Sequence, residues 1–275
     1  MEDLRAVRLF LLDMDGTFYL GDRLIDRSLE FIEVLRRTGR RFLFLTNNSS
    51  KHKGIYADRL RRMGLDIPDE DVFTSGEATA IYLGHRNPGA RLYVVGTPAL
   101  EEEFESHGFI LDDRDPDAMV LGFDTTLTYE KIRKLCDFVR GGRPYYATHP
   151  DFNCPIEGGW MPDIGGMIAM VKACTGRDPV VIGKPNAAII DALEERTGIR
   201  RAGMAMVGDR LYTDIALGGA AGILSILVLS GETSREDLAD SAVQPDYVFD
   251  NLGGIADALT GQPDASSGIP LVLPV

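Results

Sequence analysis

The chain has 275 residues, 44% of them apolar and 26% charged, proportions of a folded globular protein and not of a disordered tail or a fibrous repeat. At about 100–200 residues per domain, this length suits two modest domains or one large α/β unit. The 42 acids against 29 bases leave a net charge of −13, which repels a nucleic-acid backbone or an anionic bilayer unless bases are concentrated locally. The densest basic group, Arg36, Arg37, Arg40 and Arg41, reads as a solvated helix end, so neither nucleic acid nor membrane is expected as a partner. Cys136, Cys154 and Cys174 are widely spaced and form no CxxC pair, which argues against a disulfide framework or structural zinc and for a reducing compartment. The apolar run Leu9–Leu12 is cut off by Asp13 and Ile223–Leu229 is far too short to span a bilayer, so the cytoplasm is the expected location.

In chain order, a strand is expected at Val7–Leu12 and a helix at Ser28–Thr38, with Ser28 as N-cap and Gly39 as terminator. Next come a strand Arg41–Leu45, a helix Ser50–Met63 closed by Gly64, and a short strand Val72–Thr74. The alternation continues with strand Leu92–Val95, helix Pro98–His107, strand Met119–Leu121, helix Thr128–Val139 and strand Tyr145–Ala147. Residues 148–163 read as irregular. After them are expected a helix to Thr175, a strand Val180–Ile182, a helix opening at Pro185, a strand Met204–Val207, a helix from Asp214, and strands at Leu224–Leu229 and Tyr247–Phe249. Strands alternating with helices throughout predict a mostly parallel sheet, that is an α/β fold, with a second α/β layer in the middle.

Three strand ends carry polar motifs: Asp13-Met14-Asp15-Gly16-Thr17, Thr46-Asn47-Asn48 and Gly208-Asp209. In an open parallel sheet the ligand crevice lies beyond the carboxyl ends of the strands, so these groups are expected to converge. Of two neighbouring carboxylates, Asp13 and Asp15, one can act as nucleophile while the other carries a proton. Asp209 and Asp214 add oxygen donors with no histidine or cysteine beside them, so the expected ion is Mg²⁺, and the expected site handles phosphate. Thr46, Asn47 and Lys184, the last placed before a helix opening at Pro185, are candidate donors to phosphoryl oxygens. Gly218, Gly219 and Gly222 follow a helix and precede a strand, the reverse of a dinucleotide loop, and read as a helix stop. His149 reads as a hydrogen-bonded loop residue, and Phe152, Trp160 and Met161 as filling a core in preference to lining a pocket.

Together with Gly183-Lys184-Pro185 and Gly208-Asp209-Arg210-Leu211-Tyr212-Thr213-Asp214, these motifs resemble, in order, the four motifs of the haloacid dehalogenase (HAD) superfamily. The long stretch before Lys184, with Ala147-Thr148-His149-Pro150-Asp151, resembles the branch with a large α/β cap, the NagD-like and p-nitrophenyl-phosphatase-like phosphatases. The resemblance implies a Rossmann-like core of residues 1–77 and 182–262, an inserted α/β cap at 78–181, and a tail at 263–275. It implies that Asp13 attacks phosphorus and that Asp15 protonates the leaving oxygen. Asp13, Asp15 and Asp209 would ligate Mg²⁺, Asp15 through its backbone carbonyl, with Asp214 supporting the site. Thr46, Asn47 and Lys184 would hold the phosphoryl group, and His149, Asp151 and Trp160 would belong to a specificity loop. The implied activity is Mg²⁺-dependent hydrolysis of small phosphomonoesters through an aspartyl phosphate. The implied partners are a small phosphorylated metabolite and a second copy joined through the cap. A phosphotransferase (mutase) and a phospho-accepting signalling receiver are the alternatives.

Overall fold

A computed structural model describes residues 2–156 and 159–261; the tail expected at 263–275 lies outside them. The chain divides into two compact units. One holds the chain up to Leu45, Ala57–Val72 and the chain from Leu193; the other holds Thr46–Tyr56 and Phe73–Ala192.

The first unit is built on a six-stranded sheet in the order Tyr247–Phe249, Leu224–Val228, Met204–Gly208, Leu9–Leu12, Arg41–Thr46, Val72–Thr74. From Tyr247–Phe249 to Arg41–Thr46, neighbouring strands pair in parallel, with Leu9 opposite both Met204 and Arg41. All four residues of Leu9–Leu12 are buried, as a strand covered on both faces requires, which is why its sequence is a continuous apolar run. Phe10 meets Phe31 of the helix Ser28–Arg37 edge-on at 5.6 Å. That helix buries Phe31, Ile32, Val34 and Leu35 on one face and closes before Gly39, whose φ of 70° suits glycine. The expected cap is corrected: Arg27, at φ 62°, takes the N-cap position, because the Ser28 hydroxyl is buried and donates to the Phe18 carbonyl (3.0 Å). Arg27 then ties the helix start to Glu30 and to Asp257, at 2.8 and 2.7 Å. The sequence reading also missed the helices Glu2–Ala6, Arg235–Asp240 and Leu252–Thr260.

The second unit has its own five-stranded sheet, ordered Val180–Val181, Tyr145–Ala147, Ala118–Leu121, Arg91–Val95, Ile110–Leu111, all in parallel. Its strands show the period of two of an extended chain. Tyr93, Val95, Met119 and Leu121 pack on one face with Leu135, Val139 and Val171, while Leu92, Val94, Ala118 and Val120 pack on the other with Leu100 and Phe104. Thr97 and Thr128 cap the helices Pro98–Ser106 and Tyr129–Arg140 by accepting from Leu100 and Lys131 N–H. A helix at Ser75–Arg86, unforeseen because its small residues carry little apolar periodicity, is capped by Thr74.

Two further expectations are corrected. The stretch 148–163 contains a hairpin, Asn153–Ile156 against Gly159–Pro162, paired only within itself. Trp160 on this two-stranded ribbon and Phe152 just before it are 62% and 63% exposed and do not fill a core. The helix expected to open at Pro185 instead begins at Ala188, because Asn186 turns back on Gly183 through both its N–H (2.9 Å) and its side-chain amide (3.0 Å). Lys184 therefore precedes a turn and not a helix N-terminus. Among the described residues, no helix is long and apolar enough to cross a membrane.

Candidate active site

In the first unit, the strand Leu9–Leu12 extends through Asp13, whose N–H donates to the Val207 carbonyl (2.9 Å). The chain then turns sharply: the N–H groups of Phe18 and Tyr19 both donate to the Met14 carbonyl, at 2.9 and 3.2 Å. This turn hangs on Gly16. Its φ of 82° is a left-handed conformation, and a Cβ there would run into the Asp209 carboxylate. Gly231 faces the same carboxylate and would clash with it in the same way. Two glycines thus form a cradle for Asp209, which accepts from Thr17 Oγ1 (3.3 Å) through one oxygen and from Glu232 N–H (2.7 Å) through the other. Asp214 lies on the turn Leu211–Ile215 that follows the strand Met204–Gly208, where its Oδ2 accepts from the Arg210 N–H (3.3 Å).

This arrangement gathers Asp13, Asp209 and Asp214, each offering a carboxylate oxygen within 4.8 Å of the others. Asp209 is 2% and Asp214 0% exposed. Burial, compounded by the charges of Asp13 and Asp214, pushes the Asp209 pKa up to about 7. Burial and Asp13 likewise raise the pKa of Asp15, against the opposing pull of Arg59 and Arg210. Burial works against the charge of Arg210 too, yet Asp13 and Asp209 hold its guanidinium above its ordinary range. Its Nε pairs with Glu232 at 3.0 Å. So strongly frustrated a set of hard oxygen donors fits a divalent cation of the Mg²⁺ type.

Thr46, Asn47 and Lys184 belong to the second unit, and all three are buried. Asn47 is their organiser. Its amide nitrogen donates to Asp151 Oδ2 and to the Lys184 carbonyl, both at 3.0 Å, and its amide oxygen accepts from Lys184 N–H (2.9 Å). Thr46 Oγ1 accepts from Asn48 N–H (3.1 Å). Gly183 is required by this close packing, since a Cβ there would lie 2.5 Å from the Thr148 carbonyl and 2.7 Å from Asn47 Oδ1. His149, fully buried, has Nε2 at 3.1 Å from Asp163 Oδ1 and Nδ1 at 3.1 Å from Thr148 Oγ1. Ser75 donates its hydroxyl to the Asn47 carbonyl and places the same oxygen 3.5 Å from His149 Nδ1. His149 and Asp151 thus join the Asn47 network, whereas Trp160 stands exposed on the hairpin.

Asn47→Ala leaves the Lys184 N–H and carbonyl and the Asp151 carboxylate without this partner. At about 1 kcal/mol for each of three hydrogen bonds, the expected loss is about 3 kcal/mol, read as a lower urea midpoint.

The sequence reading missed four contributors: Thr17, Arg210, Gly231 and the Glu232 N–H. Thr17 and Arg210 lie inside quoted motifs and were legible as polar neighbours of aspartates. Gly231 and Glu232 lie in a loop with no periodic pattern, and only the fold carries them to Asp209.

Comparison with known proteins shows what this chain is similar to. A haloacid dehalogenase-like hydrolase model matches residues 10–110 and a HAD-hydrolase-like model matches 181–255. An acid sugar phosphatase of Staphylococcus aureus is 36% identical over 250 residues, covering 90% of this chain and 96% of that one. The crystal structure of a 4-nitrophenylphosphatase from Thermotoga maritima, 51% identical, covers 94% of this chain and 99% of its own, with a TM-score of 0.90. A glycerol phosphate phosphatase from Mycobacterium tuberculosis, solved in complex with magnesium, is 32% identical with a TM-score of 0.84, covering 96% of this chain and 81% of its own. With its parallel-sheet core, its four motifs in order and relatives matched over nearly their whole length, the chain belongs to the haloacid dehalogenase-like hydrolases, as a NagD-like phosphatase.

Proposed function

We propose that this phosphatase hydrolyses small phosphomonoesters, sugar phosphates among them, with the help of Mg²⁺ and through an aspartyl phosphate on Asp13. The carrying observation is the meeting of Asp13, Asp209 and Asp214 within 4.8 Å, beside an Asp15 that holds its proton unusually well. Relatives named for sugar, glycerol and nitrophenyl phosphates support the substrate class, and the magnesium complex of one of them supports the ion.

In this reading an Asp13 carboxylate oxygen attacks phosphorus, and the bond from phosphorus to the leaving oxygen breaks. Asp15 gives its proton to that oxygen, then takes one from the water that hydrolyses the aspartyl phosphate and regenerates Asp13. Thr46, Asn47 and Lys184 are proposed to serve the phosphoryl oxygens with hydroxyl, amide and ammonium donors. Asp13, Asp209 and the Asp15 carbonyl are proposed as metal ligands, with Asp214 in support. Bound Mg²⁺ would offset the repulsion among the carboxylates and the incoming phosphate. Residues 78–181 are proposed as the cap and 1–77 with 182–262 as the core. Within the cap, His149 and Asp151 hold the loop that would meet the leaving group.

The deciding experiment is a phosphomonoester panel with Mg²⁺, followed by chelation. Steady phosphate release into water over many turnovers is expected, a chelator should stop it, and added Mg²⁺ should restore it. A stoichiometric burst without turnover would identify a receiver instead, and phosphate appearing on an acceptor sugar would identify a phosphotransferase. Saturating Mg²⁺, at about 100 times its Kd, should also stabilise the protein by about 2.7 kcal/mol, read as a rise in Tm.

A further inference from the structure

The sequence reading treated Arg36, Arg37, Arg40 and Arg41 as a solvated helix end. Folding changes the company of the last two. Arg40 and Arg41 come together with Arg5 and Arg8 around an open cavity of about 260 Å³, lined further by Gly39 and Ile199. Arg8 stands just before the strand Leu9–Leu12 and Arg41 opens the strand Arg41–Thr46, so the cavity lies at the amino-terminal edge of the sheet. Asp13 lies past the other end of the same strand. Five extended steps of about 3.3 Å separate Arg8 from it, roughly 16 Å.

The charge here runs against that of the chain as a whole, whose net charge is −13. Among the described residues, the hydrogen bonds of these guanidiniums go to backbone carbonyls: Arg40 Nη2 donates to Arg5 O (3.0 Å) and Arg41 Nη1 to Thr197 O (3.5 Å). Arg40 Nε is buried and has no hydrogen-bond partner among the described residues. Asp71 attracts Arg41 but shares that attraction with Arg36 and Arg196. The simplest explanation of such bases is that they offset helix C-termini, since the helices Glu2–Ala6 and Ser28–Arg37 both end here. Each terminus is worth at most about half a negative charge, so the two termini and Asp71 together set about two negative charges against four positive ones. Among the described residues, roughly two positive charges therefore exceed the negative ones around a hollow large enough for several water molecules. A guanidinium presents paired N–H donors whose spacing matches two oxygens of a phosphate.

We propose that this cavity binds a phosphate-type oxyanion, either orthophosphate or the phosphate group of a small metabolite, at a second site remote from the acidic cluster. The inference rests on the arginine cavity alone and holds whether or not the catalytic reading does.

The test is calorimetric titration of orthophosphate at low ionic strength, with a chelator present, into the wild type, Arg8→Ala/Arg41→Ala and Lys184→Ala. The wild type should show a binding component that survives in Lys184→Ala and weakens at least about tenfold in the double arginine variant. Turnover of p-nitrophenyl phosphate by the double variant, measured at low orthophosphate, should stay within about twofold of the wild type. Repeating the titration with glucose 6-phosphate in an Asp13→Asn background separates the sources: tighter binding than orthophosphate assigns the site to a phosphorylated metabolite, and equal or weaker binding assigns it to the free anion. An unchanged isotherm in the double variant would overturn the proposal. So would loss of all binding in Lys184→Ala, or an equal response to chloride at matched ionic strength, which would mean screening only. If the double variant does not fold, Arg8→Gln/Arg41→Gln keeps much of the side-chain packing and carries the same expectation.

Discussion

Asp13→Asn is expected to lower kcat for p-nitrophenyl phosphate by at least about 10³-fold, because the amide cannot form the aspartyl phosphate and no neighbouring carboxylate can take its place. The fold should survive, and in a chelator the variant should melt no lower than the wild type. The reason is electrostatic. Asp13 is the largest charge contribution to the raised pKa of Asp209, so removing it relieves a buried repulsion. The sign can be checked through pH. In the cation-free wild type, Asp209 is protonated up to about pH 7 when folded, against 3.8 as an ordinary aspartate. The folded state therefore binds more protons than the unfolded chain between those values, and its stability falls as the pH rises through that window. Asp13→Asn should flatten the fall, and thermal melts at pH 5 and pH 7 in chelator measure it. Equal slopes in both proteins would show that Asp13 and Asp209 do not act on one another.

Gly16→Ala is the second large effect, and it acts without removing any chemical group. The added methyl must sit where the Asp209 carboxylate lies, and the φ of 82° is costly for any residue with a Cβ. The Asp209 oxygens are then displaced from the Thr17 hydroxyl and the Glu232 N–H that hold them in place. Displacing a proposed metal ligand in this way is expected to weaken cation affinity by about 10–100-fold, with kcat/KM at low Mg²⁺ falling in proportion. Gly231→Ala presses on the same carboxylate from a residue with no left-handed φ, so it should reproduce the loss of cation affinity with less loss of stability. Isothermal titration of Mg²⁺ and urea melts on both variants separate the two contributions. Normal Mg²⁺ binding by both would show that Asp209 is not held for a cation.

Much of this protein is legible from order along the chain. The alternation of apolar runs and amphipathic stretches is local, and it anticipates the parallel strands Leu9–Leu12, Arg41–Thr46 and Met204–Gly208 to within a residue or two. Errors gathered where a tertiary demand overrode a local preference. The Ser28 hydroxyl bonds Phe18 instead of capping its helix, and the turn at Gly183–Asn186 delays the helix after Lys184. Trp160, expected inside on its apolar character, stands exposed on a ribbon that pairs only with itself among the described residues.

The candidate site divides along the same line. Residue types that suit phosphate chemistry, such as paired aspartates at a strand end or a lysine after a glycine, are chemical facts carried by each position and are readable one motif at a time. What no motif contains is proximity between distant segments. The Gly231 that shapes the Asp209 cradle, the Asn47 side chain that ties Lys184 to Asp151, and the four arginines around one cavity at the far edge of the sheet all arise from strand order and packing. Those depend on burial summed over the whole chain, so only the tertiary structure decides them.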